Sequence, residues 1–138
     1  MVEKRHARRL VRAIDTNVVL RLLMDDDPVQ HRIATSLLAE PMLLTLTVLV
    51  ETGWVLLSRY RFSRAEVATL LNDLLDYDSI IVEKRAGIRW ALDRFAVRGD
   101  FADLLHLVAA DRAATFATFD RGVAIAAGSD SPVAVETL

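Results

Sequence analysis

The chain has 138 residues, 53% of them hydrophobic, which is long enough and apolar enough for one domain with a filled core. This composition excludes a disordered chain, and the absence of cysteine excludes disulfide scaffolds, thiolate zinc sites and cysteine nucleophiles. A net charge of -2, from 17 basic and 19 acidic residues, does not by itself indicate a nucleic-acid binder.

The charge is unevenly distributed along the chain. The first 12 residues carry five basic side chains against one acidic, a net charge of +4, which leaves -6 on the remainder. We predict a basic N-terminal arm over residues 1–11 and a single domain over residues 12–138. The longest apolar stretch, 43–57, contains four polar residues and is shorter than the ~20 apolar residues of a membrane span. We therefore expect no membrane segment and a cytoplasmic location.

Short apolar segments that favour strands alternate with longer segments that favour helices. The predicted strands are 12–14, 42–46, 79–82, 115–119 and 133–135. The predicted helices are 16–24, 28–40, 48–60, 64–75, 85–97, 101–114 and 123–127. This alternation predicts an α/β fold, a three-layer sandwich in which helices flank a mainly parallel central sheet of about five strands.

Residues that favour helix N-termini support these boundaries. Asp27 precedes a proline at the first helical position, and Ser63 with Glu66 forms a capping box. We also predict that Thr47 and Asp100 cap the helices that follow them. The predicted buried faces of the second and third helices contain Ile33, Leu37 and Leu38, and Val50, Trp54 and Leu57, respectively.

Four acidic residues are candidates for a common site. Asp15 and Asp120 directly follow predicted strands, and ligands of open α/β sheets bind beyond the carboxyl ends of the strands. Asp103 in the first turn of its helix and Glu51 inside an apolar helix could face the same edge. Carboxylates gathered there would need a proton or a cation between them, and oxygen ligands without cysteine favour Mg²⁺ or Mn²⁺.

Each candidate also has a purely structural interpretation. Asp15 can cap the helix after it, Asp103 can be the acidic residue of a helix first turn, and Asp120 can form a turn with the two residues that follow. Glu51 can lie on an exposed stripe of its helix.

Four segments of the sequence, taken together, resemble one known family. The segments AIDTNVVLRLL with DDDPVQ, TVLVETGWVLLSRY, DFADLLHLVAA and ATFATFDRG occur in this order from about residue 13 onwards. This pattern is similar to that of the PIN-domain ribonucleases, in particular the VapC-type toxins of toxin-antitoxin pairs. The resemblance implies a PIN-like fold and a Mg²⁺-dependent endoribonuclease that acts on structured or single-stranded RNA.

The resemblance also implies roles for particular residues and partners. The acidic positions of the family fall on Asp15, Glu51, Asp103 and Asp120, which would bind one or two Mg²⁺ ions, with Mn²⁺ as a possible substitute. The supporting polar positions fall on Asn17, Thr118 and Asp100, of which Asp100 is already explained as a cap. A homodimer and a cognate antitoxin protein are further implications. The alternative is a catalytically silent PIN-like module that binds RNA or protein.

Overall fold

The computed structural model describes residues 11–138, so residues 1–10 of the predicted basic arm lie outside the described residues. Five strands and seven helices are present in the described range. The strands are β1 (Arg12–Ala13), β2 (Met42–Leu43), β3 (Ile80–Ile81), β4 (Thr115–Thr118) and β5 (Ala134–Thr137). The helices are α1 (Thr16–Leu23), α2 (Pro28–Leu37), α3 (Leu46–Ser58), α4 (Arg64–Leu75), α5 (Arg85–Val97), α6 (Phe101–Ala109) and α7 (Arg121–Ala127).

All strand pairings among the described residues are parallel, which confirms the predicted α/β class. β1, β2 and β3 form one sheet in that order, and β4 pairs with β5 in a second sheet. The helices provide the crossover connections that parallel strands require. The strands are shorter than predicted, and their hydrogen bonds form two groups rather than one continuous sheet of five.

Side-chain caps begin most of the helices, as the sequence predicts. Ser63 and Glu66 form the complete capping box of α4, and Asp27 accepts a hydrogen bond from the backbone at the start of α2. The predicted cap at Thr47 is wrong, because Thr45 caps α3 by accepting a hydrogen bond from Val48 N at 3.3 Å. α3 therefore begins at Leu46, and Thr47 lies inside its first turn.

The main core lies where α3, α4, α5 and α6 pack against the three-stranded sheet. It is built largely from fully buried leucine, isoleucine and phenylalanine side chains, among them Leu44, Leu56, Leu71, Ile80, Leu92, Phe95 and Leu104. Two predicted core residues are instead exposed: Ile33 at 60% and Trp54 at 60%. Ala34 is the buried residue of α2, and α3 buries the side that carries Leu49, Gly53 and Leu56.

A close contact between α3 and α6 sets the position of the acidic residues. Gly53 of α3 lies directly against the ring of Phe101, where an added Cβ would stand 2.3 Å from Phe101 Cδ2. Phe101 also packs edge-on against Phe95, with ring centroids 5.3 Å apart. Because Phe101 is the first residue of α6, this packing fixes the start of that helix.

A tight turn leads into α6. Gly99 has a φ of 99°, a conformation that glycine adopts without strain, and it directs the chain from α5 into the cap of α6. The guanidinium of Arg64 donates hydrogen bonds to the carbonyls of Phe95 and Gly99 and so ties the start of α4 to this turn. None of the helices within residues 11–138 is long and apolar enough to cross a membrane.

Candidate functional site

Three of the acidic residues stand at helix N-termini. One carboxylate oxygen of Asp15 accepts a hydrogen bond from Val18 N at 3.0 Å, which confirms the capping interpretation for this residue. Asp100 and Asp120 cap α6 and α7 in the same way, at 3.0 Å and 2.8 Å. In each case the bond is made by Oδ1, and the structure gives Oδ2 no protein partner within residues 11–138. Capping thus orients these side chains and leaves one oxygen of each available.

A small cleft brings three carboxylates together. Asp100, Asp103 and Asp120 line a cavity of about 130 Å³, together with Gly99 and Gly122. Burial raises the pKa of Asp103, the negative charges of Asp100 and Asp120 raise it further, and the nearby His106 partly opposes them. We call this cavity the acidic cleft.

Glu51 lies beside the acidic cleft rather than inside it. Its side chain is exposed, as the alternative of an exposed stripe predicts, and it lines an apolar groove of about 340 Å³ on the surface of α3. Trp54 and Asp100 line the same groove. Asp100 therefore lines both the groove and the acidic cleft.

Asp15 lies in a separate depression of about 320 Å³ between α1 and α2, together with Asn17 and Arg21. The guanidinium of Arg21 does not pair with Asp15. It forms an ion pair with Asp26 at 2.8 Å and donates a hydrogen bond to the Tyr60 hydroxyl at 3.1 Å. Asn17 is exposed next to Asp15, and the structure gives its side chain no hydrogen bond within residues 11–138.

Thr118, the last residue of β4, supports the backbone of an acidic residue. Its hydroxyl accepts a hydrogen bond from Asp120 N at 3.0 Å. Asp120 therefore has its main chain held by Thr118 and its side chain held by the start of α7.

The carboxylates of the acidic cleft form no ion pair with another described residue. The ion pairs between described residues are Arg21 with Asp26, Lys84 with Asp111, and Arg89 with Asp76. No carboxylate of the acidic cleft takes part in them. Carboxylate oxygens are the ligands that Mg²⁺ and Mn²⁺ prefer, so the donor chemistry of the cleft fits such an ion. Within residues 11–138, however, no group of three or more acidic or histidine side chains is arranged closely enough to hold a metal.

One feature of the site extends the prediction from the sequence, and another corrects it. The sequence predicts Asp100 both as a cap and as a supporting residue of the site, and the structure adds that it lines the groove on α3 as well as the acidic cleft. Trp54 was assigned to the core, but it is exposed beside Glu51. The spacing of three residues between Glu51 and Trp54 was the available signal, because residues three apart share one face of a helix.

A comparison with protein families identifies the family to which the chain is similar. A family model described as the PIN domain matches residues 12–128, which is most of the chain and includes all the acidic residues described above. No curated protein matches the sequence.

Proposed function

Since the chain belongs to the PIN domain family, whose members are generally nucleases, we propose that it is a Mg²⁺-dependent endoribonuclease and the VapC-type toxin of a toxin-antitoxin pair. The single observation that carries this proposal is the acidic cleft. Asp100, Asp103 and Asp120 border one cavity without a basic ion-pair partner among the described residues, and burial together with the neighbouring carboxylates raises the pKa of Asp103.

The proposed ligands of the ion are Asp15, Glu51, Asp103 and Asp120, of which Asp103 and Asp120 line the acidic cleft, whereas Glu51 lies beside it and Asp15 lines a separate depression. When bound, a divalent ion of this kind lowers the pKa of a water molecule and neutralises charge on a phosphate. The residues of the chain itself hold the acidic side chains in position. Thr118 holds the main chain of Asp120, and the start of α7 holds its side chain.

Further elements of the proposal concern partners. RNA is the proposed substrate, and a cognate antitoxin and a second copy of this chain are the proposed protein partners. Mn²⁺ is proposed to replace Mg²⁺, because both ions accept carboxylate oxygens.

A second candidate function is a catalytically silent PIN-like module that binds RNA or protein. The observation in its favour is that the carboxylates of the described residues do not form a closed set of metal ligands. The two candidates differ in one measurable respect, since only the nuclease requires a metal for its effect on RNA.

The test is cleavage of a pool of structured and single-stranded RNAs by the purified full chain, in Mg²⁺ and in EDTA. The variants Asp103→Asn and Asp120→Asn remove charge from the acidic cleft. Asp73→Asn is the matched control, because Asp73 is exposed on α4 and makes no side-chain hydrogen bond within residues 11–138. We expect cleavage by wild type and Asp73→Asn in Mg²⁺ only, and background levels for the two cleft variants. RNA binding without cleavage by the folded protein would instead support the silent module.

A further inference from the structure

The acidic cleft has two walls that are in direct contact with each other. One wall is the turn at Gly99 with the first turn of α6, and the other is α7, which carries Asp120 at its start. Gly99 and Ala126, near the end of α7, both line the cleft. A Cβ added to Gly99 would stand 2.6 Å from Cβ of Ala126. The distance between the carboxylates of the two walls therefore depends on how α7 is held against this turn.

The guanidinium of Arg94, on α5, holds the end of α7. Its Nε donates a hydrogen bond to the carbonyl of Ala126 at 2.8 Å, and its Nη2 donates one to the carbonyl of Ile125 at 3.4 Å. Both carbonyls are among the last four of the helix, which have no partner within it. The guanidinium also lies against Gly128, where an added Cβ would stand 2.9 Å from Cζ of Arg94. Arg94 thus ties the end of α7 to α5.

Arg64, the first residue of α4, holds the other wall in the same manner. Its Nη1 donates hydrogen bonds to the carbonyls of Phe95 and Gly99. Its Cζ lies 4.8 Å from the centre of the Phe95 ring, within the range of a cation–π interaction. Arg64 and Arg94 therefore hold the two sides of one contact, that between Gly99 and Ala126. We call these two residues the arginine brace.

The arginine brace fixes the direction of α7 more closely than its apolar contacts do. Val123 and Ala127 of α7 pack in one apolar cluster with Leu107 of α6. Hydrophobic burial is non-directional, whereas hydrogen bonds from a rigid planar guanidinium set both the position and the orientation of the carbonyls that accept them. Among the described residues, neither arginine of the brace forms an ion pair with a carboxylate. Their hydrogen bonds therefore hold the backbone and do not neutralise an acidic side chain.

We propose that Arg64 and Arg94 are positioning residues of the acidic cleft, which hold the carboxylate of α7 at a set distance from the two carboxylates of the other wall. Neither arginine contacts the metal or the RNA in this role. The inference rests on the proposed function, because a divalent ion shared by the two walls depends on that distance. Loss of groups that orient metal ligands typically weakens metal binding by about 10- to 100-fold.

Positioning and charge predict opposite effects of replacing Arg94. A cation at the wall of the cleft repels a divalent ion, so a neutral residue in its place would tighten metal binding if only the charge acted. If the arginine brace positions the carboxylates, the same replacement weakens metal binding. Arg94→Lys keeps the charge but loses the planar fork, so it should restore little of the metal affinity.

The first measurement is Mn²⁺ binding by the purified full chain without RNA, followed by the loss of the EPR signal of free Mn²⁺. Asp103→Asn identifies the binding that belongs to the acidic cleft. We expect Arg94→Met and Arg64→Met to weaken this binding by about 10- to 100-fold.

Arg89→Met is the matched control. Arg89 lies on the same helix as Arg94, donates hydrogen bonds to Asn72 and pairs with Asp76 at 2.7 Å, and it does not line the acidic cleft. We expect Arg89→Met to lower Tm by an amount similar to that of Arg94→Met and to change Mn²⁺ affinity by less than about 2-fold.

The second measurement needs no metal. The amides of Asp103 and Gly122 donate hydrogen bonds to the carboxylates of Asp100 and Asp120, one on each wall of the cleft. Their signals in ¹H–¹⁵N spectra recorded in EDTA therefore report the two walls directly. We expect the Gly122 signal to shift in Arg94→Met, and neither signal to shift in the control variant.

The outcomes separate this inference from the proposed function. Unchanged or tighter Mn²⁺ binding by folded Arg94→Met and Arg64→Met, or an equal loss in Arg89→Met, would overturn the inference and leave the nuclease intact. If wild type neither bound Mn²⁺ nor cleaved RNA in Mg²⁺, the proposed function would fail. The spectra in EDTA would then decide the inference, since an unshifted Gly122 signal in Arg94→Met would overturn it and a shifted one would support it. If Arg94→Met did not fold, Arg94→Lys and Arg64→Met would decide the same question.

Discussion

Replacing Gly53 by alanine tests whether the contact between α3 and α6 positions the acidic cleft. The added Cβ would lie 2.3 Å and 2.4 Å from two ring carbons of Phe101. Carbon atoms pack at about 3.5–4.0 Å, so the helices would have to separate by roughly 1 Å or the ring would have to turn away. Either change displaces the first turn of α6, where Asp100 and Asp103 are placed.

Two opposing contributions determine the effect of Gly53→Ala on stability. Overpacking of a filled core costs about 1–3 kcal/mol, whereas alanine inside a helix is favoured over glycine by up to about 1 kcal/mol. We expect a net loss of up to about 2 kcal/mol in the free energy of unfolding, which lowers Tm by up to about 8 °C in a domain of this size. Cleavage should fall further, by about 100-fold, because catalysis is sensitive to displacements of about 1 Å.

The assay combines urea denaturation with RNA cleavage in Mg²⁺. Ser58→Ala, at an exposed position of the same helix, controls for changes in helix propensity. The double variant Gly53→Ala/Phe101→Leu relieves the clash, and we expect it to be more stable than the sum of the two single changes predicts. A Gly53→Ala protein that is more stable than wild type and cleaves RNA normally would refute the reasoning, since the close approach would then have no role.

Three further predictions concern the carboxylates and one cation. Because the pKa of Asp103 is raised in the folded state, its ionisation opposes folding. In EDTA at pH 7, the Asp103→Asn variant should therefore unfold at a higher urea concentration than wild type. The difference between the two urea midpoints should disappear as the pH falls below the ordinary pKa of aspartate. A difference that stayed the same at every pH would contradict this prediction. Asp120→Ala should lose ~0.5–2 kcal/mol of stability through loss of the cap, while Asp120→Asn, which can still cap, should lose little; equal losses would argue against a capping role. Lys84→Met removes an ammonium that donates hydrogen bonds to the Val108 and Ala109 carbonyls and pairs with Asp111 at 2.8 Å. It should cost about 1 kcal/mol in low salt and less in 1 M NaCl, and a loss that does not depend on salt would exclude the ion pair as its cause.

The sequence predicted the fold class well because the signals involved are local. The capping box at Ser63 and the cap at Asp100 each depend on residues within one turn of a helix, so neighbouring letters suffice to find them. The error at Thr47 has the same origin. Thr45 and Thr47 are equally good cap residues, and the residue at which β2 ends decides which of them caps the helix.

The candidate site was less predictable because it depends on packing between distant segments. Helix α3 is apolar on nearly all sides, so periodicity does not show which face a neighbour covers, and Trp54 was assigned to the wrong one. The sequence predicts that Asp103 and Asp120 lie at one edge of the sheet, because Asp120 follows a predicted strand and Asp103 lies in the first turn of a helix. The structure places both residues in the acidic cleft. Participation of Asp15 and Glu51 in a common metal site stays a prediction.

The capping of α1, α6 and α7 by aspartates has a consequence for the protein in the absence of metal. The start of a helix carries a partial positive charge from its aligned peptide dipoles, which stabilises a nearby carboxylate by about 0.3–1 kcal/mol. Asp15, Asp100 and Asp120 each receive this compensation from their own helix. Within the acidic cleft, the charges of Asp100 and Asp120 are therefore partly offset by the fold itself, whereas that of Asp103 is not. Small zinc domains unfold when their metal is withdrawn. This chain, in contrast, should stay folded when a chelator removes the metal and when the metal is added back.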